Sequence, residues 1–411
     1  MGRAGLMHFC RRFQLHMRKI VGKIHLWLGL ASGLVVFIIS VTGCLLAFEW
    51  ELRSLFGKQW FHLPAGAKTA QTAPLPPSQL RAIAEKEIGK SAQGVIYGGK
   101  DYSSVVQFYG RGDNAYYQQV FMNPYNGQVL RTWDAKSDFF RIVLEGHFNL
   151  WLPRKIGQPI VAWSTLAFFV LLLSGLVLWW PRNKAARKQR FSVKWDAKWK
   201  RKNYDLHNVL GFYVMSIAVI LIVTGLVYGF KWWADGLYYA TTGGKSLKDA
   251  VYPISDTTRL TPAHSLEANT DIAWARVMKA KPAEAGLSLY FATGNSAPIS
   301  VTINNRPGTY YKTENFLFDQ YTLQPLEATG PFAGKYEEKS MGDKFRRMNY
   351  DLHVGAIWGL PGKLLMFFAS LICASLPVTG VCIWLGRKRK AKKAKKAPLP
   401  KPVLQPQPAL S

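Results

Sequence analysis

Four runs of the chain, Leu26 to Phe48, Ile156 to Trp180, Leu206 to Phe230 and Leu364 to Gly386, hold 23 to 25 residues each without Asp, Glu, Lys or Arg. A helix of roughly 20 apolar residues crosses a hydrocarbon core of about 30 Å, so each run is long enough to span a bilayer and a soluble fold is excluded. The spans are placed at 25–48, 156–180, 206–230 and 364–386. The first run is longer than the apolar stretch of a signal peptide and ends Leu46-Ala47-Phe48-Glu49-Trp50, without small residues at a cleavage position, so it reads as a retained anchor.

The 411 residues carry a formal charge of +29, which invites a nucleic-acid reading until the charge is divided among the segments. Residues 1–24, 181–205 and 387–411 contain six, ten and nine basic residues against two acidic ones, a net +23. The long segments 49–155 and 231–363 are nearly balanced, at +4 and +2. Basic residues retained beside spans set orientation, so the three short segments and both termini are expected in the cytoplasm and the two long loops outside it. The positive charge then serves the anionic inner leaflet, with no nucleic acid as partner. The Lys/Ala/Pro-rich tail after Arg387 is expected to be disordered. Of the four cysteines, Cys10 precedes the first span and Cys44, Cys373 and Cys382 lie within spans, so no disulfide framework is expected in the loops.

The chain repeats itself. KIHLWLGLASGLVVFIISVTGCLLAF, residues 23–48, aligns with YDLHNVLGFYVMSIAVILIVTGLVYGF, residues 204–230, placing His25 on His207 and Val41-Thr42-Gly43 on Val223-Thr224-Gly225. The second and fourth spans bring GHFNLWLPRKIGQ and LSGLVLWWPR against LHVGAIWGLPGK and PVTGVCIWLGR, which pairs His147 with His353 and Gly175 with Gly380. The fold class that follows is a membrane α-helical four-span bundle built from a duplicated two-span unit. Each outer loop adds a small α+β module. In the first, residues 76–90 have helical spacing and SSVVQFYG, AYYQQVFMNP and Gln128-Val129-Leu130 read as strands around a turn at Asn126-Gly127. In the second, TDIAWARVMKAKPA is followed by GLSLYFAT, APISVTIN and ENFLFDQYTLQPL in the same order.

Of the eight histidines, His25, His207, His147 and His353 head the four spans, two at each face of the membrane. His25 to Gly43 and His207 to Gly225 are both 18 residues, five whole helical turns or about 27 Å, so each glycine shares a face with its histidine at the far end of the span. Glycine admits a close backbone approach. A flat macrocycle held by His147 and His353 is therefore expected against Gly43 and Gly225, and a second, held by His25 and His207, against Gly175 and Gly380. Two imidazoles without a third protein ligand suit a haem iron better than zinc, which takes three or four. No CxxCH attachment motif is present, so the expected cofactors are two non-covalent b haems. Lys23, Lys200 and Lys202 on one side, and Arg154, Arg346 and Lys363 on the other, are candidate partners of haem propionates.

HLWLGLASG, VTG, GHFNLWL, YDLHN, NYDLH and WWPR together resemble the PepSY-associated transmembrane proteins over roughly residues 18 to 387. The resemblance implies PepSY-like modules in the loops and an inner-membrane ferric-siderophore reductase with His25, His207, His147 and His353 as axial ligands of two haems. Electrons would pass from the inner haem to the outer one and on to a ferric siderophore, whose hard oxygen ligands hold Fe(II) more weakly than Fe(III). Trp151 and Trp358, just after the outer histidines, are candidate chelate contacts, although tryptophan is also the usual residue at a membrane interface. No GxGxxG motif follows a strand, so the donor is a separate protein or a quinol. An alternative without haem makes the loop modules the active part, binding and restraining a periplasmic peptidase. A transporter would be expected to carry charged or broken-helix sites near the midplane, which these spans lack.

Overall fold

The structure, a computed structural model, describes residues 3–63, 73–110, 115–181, 187, 189–258, 264–280, 286–304, 306 and 308–396. Four helical stretches are long and apolar enough to cross a membrane: His16–Leu46, Arg154–Trp179, Trp199–Gly229 and Ala356–Arg389. They form a ring in which the first span packs on the second and fourth, and the third packs on the same two. Val36, Phe168, Leu172, Val214, Ala218, Ile222, Ala369 and Cys373 meet in the middle of the ring and fill its core. Leu34, Trp163 and Phe368 point outward and are exposed, as lipid-facing residues of a bundle are. Pro377 lies inside the fourth helix, and Gly33 lets the first helix come against it, since a Cβ there would stand 3.4 Å from the Pro377 ring. The helix of the fourth span continues to Lys396, well into the stretch expected to be disordered. Consecutive Lys and Ala residues without a breaker extend the helical hydrogen bonding beyond the span. The remainder of that tail, 397–411, lies outside the described residues.

Both loops fold as helix followed by four strands. In the first, the helix Pro77–Ile88 precedes β1 (Gly94–Tyr97), β2 (Ser104–Gly110), β3 (Tyr116–Met122) and β4 (Val129–Asp134). In the second, Leu266–Ala280 precedes β5 (Gly286–Tyr290), β6 (Ile299–Asn304), β7 (Thr313–Phe318) and β8 (Pro325–Leu326). The two modules are not separate. β1 and β5 pair antiparallel, Gly94 opposite Tyr290 and Tyr97 opposite Leu287, giving one eight-stranded sheet in the order β4-β3-β2-β1-β5-β6-β7-β8. Strand alternation sends Val95, Val106, Phe108, Val120, Leu289 and Val301 to one face, where Leu80 and Ala84 of one helix and Ala273 and Val277 of the other cover them. The two helices are tied by Asp271, which accepts from the Ser78 N–H at 2.9 Å and its hydroxyl at 2.5 Å.

Each loop returns to the membrane through a short amphipathic helix, Phe139–Asn149 capped by Asp138 and Met341–Val354 capped by Ser340. These carry His147 and His353 near their C-terminal ends. The chain then turns sharply into the next span. Leu150, Trp151 and Gly355 all have positive φ, and Gly157 and Gly362 at the start of the spans press directly on the turns. A Cβ on Gly157 would fall 1.9 Å from the Asn149 carbonyl oxygen, and one on Gly362 would fall 2.1 Å from that of Gly355, so only glycine fits at either place.

Candidate functional site

Four histidines from four helices meet as two pairs. The rings of His25 and His207 stand 6.5 Å apart, centre to centre, at 89° to one another; those of His147 and His353 stand 6.3 Å apart at 67°. The first pair lies at the basic end of the bundle and the second at the sheet end. His62 is elsewhere, its ring tilted against that of Tyr102 and bonded to the Ser54 hydroxyl, and no group of three or more His, Cys, Asp or Glu suited to a metal occurs among the described residues.

One local device seats every ring. His25 Nδ1 lies 2.9 Å from the Ser174 hydroxyl, His147 Nδ1 lies 3.0 Å from Thr42, His207 Nδ1 lies 2.8 Å from Thr379 and His353 Nδ1 lies 2.9 Å from Thr224. Each hydroxyl has one proton and gives it to a carbonyl of its own helix, that of Leu171, Ile38, Ser375 or Ile220. The hydroxyl oxygen therefore accepts, and the proton between it and the imidazole belongs to Nδ1. Nε2 is left with a free lone pair on the opposite edge of the ring, which is the tautomer that binds a metal. Outside the spans, burial pushes the His147 and His353 imidazoles down to about 4, with His147 adding to the shift of His353. Both rings are neutral at physiological pH.

The residue after each hydroxyl is a glycine, and its Cα faces the same ring. A Cβ on Gly43 would stand 3.4 Å from Cε1 of His147, on Gly175 3.4 Å from His25, on Gly225 3.3 Å from His353 and on Gly380 3.4 Å from His207. At each of the four glycines expected beside a macrocycle, the imidazole of a neighbouring helix lies against the Cα. A ring bonded through Nδ1 to the preceding hydroxyl necessarily passes over the next Cα.

Open space beside the basic-end pair involves further glycines. A cavity of about 380 Å³ is lined by His25 and His207 together with Gly175 and Gly380 and with Gly22, Gly29, Gly33 and Gly211. Gly29 and Gly211 each stand one turn beyond a histidine, and a Cβ there would meet nothing nearer than Leu171 at 3.8 Å or Leu376 at 3.6 Å. Protein packing does not require glycine at these two positions, and both line the cavity. The signal lies in the repeat, where HLWLG falls on HNVLG. Arg387 also lines this cavity, whereas Lys23, Lys200 and Lys202 do not. At the sheet end Lys363 is bonded to Glu51 at 2.7 Å, Arg154 to Gln158 at 3.2 Å, and Arg346 lies over the Phe332 ring.

A second outer layer is shared by two of the rings. Asn203 and Asn349 open identical Asn-Tyr-Asp-Leu-His sequences, and each side-chain amide donates to the backbone carbonyl of the threonine that seats the histidine four residues later, Thr379 at 3.1 Å and Thr224 at 3.2 Å. The aspartates of the same sequences are buried. Asp205 accepts from Arg201 at 2.8 Å, and Asp351 accepts from the Tyr310 N–H at 2.9 Å. Burial raises Asp351 to about 6, against the opposing pull of that backbone bond. Trp151 donates its indole N–H to the Ile142 carbonyl at 2.8 Å and covers Gly146, and it and Trp358 are both 55% exposed.

A metal bound by both Nε2 atoms at about 2.0–2.1 Å, with roughly 1.2 Å from each nitrogen to its ring centre, sets the centres about 6.4 Å apart. Both observed pairs match that spacing, and the residues fit a haem iron, which asks the protein only for axial ligands. Fold and site thus define a four-span membrane protein with an imidazole pair at each end of its bundle. The profile of the PepSY-associated TM region matches residues 23–387, and the chain belongs to that family. No curated protein matches it significantly.

Proposed function

We propose that the protein is an inner-membrane electron conduit with two b haems, one held by His25 and His207 and one by His147 and His353, that delivers electrons to a periplasmic ferric siderophore. The observation that carries this reading is the pair of Nδ1-anchored imidazoles with ring centres 6.3 to 6.5 Å apart, found once at each end of the bundle. Bound haem would supply one-electron exchange at an iron whose equatorial positions are already filled. The chain supplies the rest. Thr42, Ser174, Thr224 and Thr379 fix the tautomer and orientation of the rings, and the packed midplane keeps water from the space between the two pairs. Arg387, on the wall of the basic-end cavity, would offer a cation to a haem propionate.

The net +23 of the short segments favours the basic end as cytoplasmic and the sheet as periplasmic, with anionic lipid at the inner surface. The recurrence of one histidine seat on all four spans supports descent from a duplicated two-span unit. Reduction of Fe(III) to Fe(II) weakens hard oxygen ligation and releases the metal, and the electrons come from a separate protein or a quinol. The test is optical and then chemical. Purified protein should be red, show a b-type α band on reduction and contain two haems per chain; reduced protein mixed anaerobically with a ferric siderophore should be reoxidised as Fe(II) appears in a ferrous trap. Protein that stays colourless when expressed with ample haem would remove the conduit and favour the peptidase-restraining alternative.

A further inference from the structure

The third span ends beside a part of the second that lies well within the bilayer, and the chain that follows starts from that depth. A Cβ on Gly229 would stand 2.8 Å from that of Ala162, and Phe230 meets the Trp163 ring with centres 5.1 Å apart. Trp163 lies eight residues, about 12 Å, inward of Lys155, the nearest charged residue of its span. Its indole is 62% exposed on the outside of the bundle, where the neighbour is lipid. Trp232 packs on Phe230 with ring centres 5.5 Å apart, so the aromatic surface passes without a break from the second span onto the helix Lys231–Thr242.

That helix has two faces. Ala234 and Tyr238 are buried, and the Tyr238 hydroxyl donates to Asp343 at 2.6 Å. The Thr241 carbonyl oxygen lies 2.7 Å from where a Cβ on Gly342 would stand, and the Trp233 indole N–H donates to the Val223 carbonyl at 3.1 Å. These contacts fasten the helix to the third span and to the first turn of Met341–Val354, which carries His353. Trp232, Gly236 and Tyr239, spaced four and three residues apart, share the opposite face. Trp232 and Tyr239 are 57% and 61% exposed, and a Cβ on Gly236 would meet nothing within 4 Å. The two charged residues, Lys231 and Asp235, fall to one side of this stripe.

The repeat supplies the same arrangement at the end of the first span. In its register Phe48 and Trp50 fall on Phe230 and Trp232. Phe48 meets Phe367 of the fourth span with ring centres 5.6 Å apart, and Trp50 is half exposed. Arg53, on the helix Glu49–Phe56, pairs with Asp138, the cap of the helix that carries His147. Each odd span thus runs into a short helix bonded to the start of a histidine-bearing one.

We infer that the helix Lys231–Thr242 is an interfacial helix, seated by its Trp232 and Tyr239 face in the leaflet on the sheet side, and that through Tyr238 it tethers the His353 helix to that leaflet. Tryptophan and tyrosine suit this place, since the ring is apolar and the N–H or O–H reaches the polar layer. Lipid is favoured over a protein partner because the stripe continues the surface of the second span that lipid already covers. The contact is independent of what the imidazole pairs bind. Its test uses full-length protein with Cys10→Ser and Cys382→Ser, which leaves only the buried Cys44 and Cys373. A nitroxide is attached at Trp232→Cys, at Tyr239→Cys or, as a control on the exposed side of the helix Pro77–Ile88, at Lys86→Cys, and the protein is placed in nanodiscs of phosphatidylcholine and phosphatidylglycerol. Collision with oxygen, which concentrates in lipid, should exceed collision with a water-soluble nickel chelate at 232 and 239, and the order should reverse at 86. Trp232→Glu combined with Tyr239→Glu should speed amide hydrogen exchange severalfold in 231–242 and in the first turns of Met341–Val354, while Phe139–Asn149 keeps its wild-type rate. Nickel collisions dominating at 232 and 239 would show a solvated face, and shielding from both reagents would show a protein partner such as a second copy. Either result overturns the lipid assignment, and wild-type exchange in the double variant overturns the tether.

Discussion

Replacing Thr224 by valine keeps the shape of the side chain and removes a single oxygen. That oxygen donates to the Ile220 carbonyl at 2.6 Å and accepts from His353 Nδ1 at 2.9 Å. Thr224 is 1% exposed, so no water takes its place. A buried N–H left without a partner costs about 1–3 kcal/mol, a factor of roughly 5 to 150 in any equilibrium that needs the ring in its observed pose. Losses of about 10- to 100-fold on removing an outer-layer partner of a metal ligand fall in the same range. Thr224→Val should therefore release haem from the sheet-end site to an excess of acceptor apoprotein about 10- to 100-fold more readily. The reduction potential of that site should also rise, because an imidazole that no longer donates through Nδ1 is a weaker base and stabilises Fe(III) less. Thr224→Ser should restore both quantities. The argument fails if Thr224→Val matches the wild type in haem release and potential, or if Thr224→Ser behaves like valine.

His25→Ala or His207→Ala should remove one haem and His147→Ala or His353→Ala the other, as read by haem content, while His8→Ala, His62→Ala and His264→Ala leave it unchanged. Gly29→Leu or Gly211→Leu should fill the 380 Å³ cavity and abolish the basic-end haem alone; two haems retained in both variants would disprove the cradle. Gly225→Ala should displace the His353 ring, 3.3 Å away, and perturb only the sheet-end spectrum. Reporter fusions after residues 195 and 395 should read as cytoplasmic and after 100 and 300 as periplasmic, and a periplasmic signal at 195 would reverse both faces. Insertion of one alanine after Val36 should rotate Thr42 and Gly43 by about 100° and cost the sheet-end haem while sparing the other.

The spans and the four histidines were legible because hydrophobic length and a repeated motif are local properties of a sequence. The hydroxyl seats were half legible. Thr42-Gly43 and Thr224-Gly225 stood out as a repeat, but the glycine was matched with a macrocycle and the threonine was given no role. Only helix packing shows that the ring from a neighbouring helix crosses both residues. The joining of β1 to β5 was hidden for a different reason. Gly94 and Tyr290 are 196 residues apart, and a four-residue strand beginning with glycine carries little alternation of its own. Asn203 and Asn349 were invisible as outer-layer groups, since an asparagine four residues before a histidine looks the same whether its amide meets water or a buried carbonyl. What the packing adds is a coupling between the two ends. The first span supplies His25 to one pair and the Thr42-Gly43 seat to the other, and the third supplies His207 and the Thr224-Gly225 seat in the same way. The 18 residues between them are five whole turns, the condition for one straight helix to face the bundle interior at both ends. The second and fourth spans complete the basic-end pair with Ser174 and Thr379, and the short helices before them bring His147 and His353 down to the sheet-end seats. Each imidazole pair is thus held in part by two helices, the first and third spans, that also supply residues to the other.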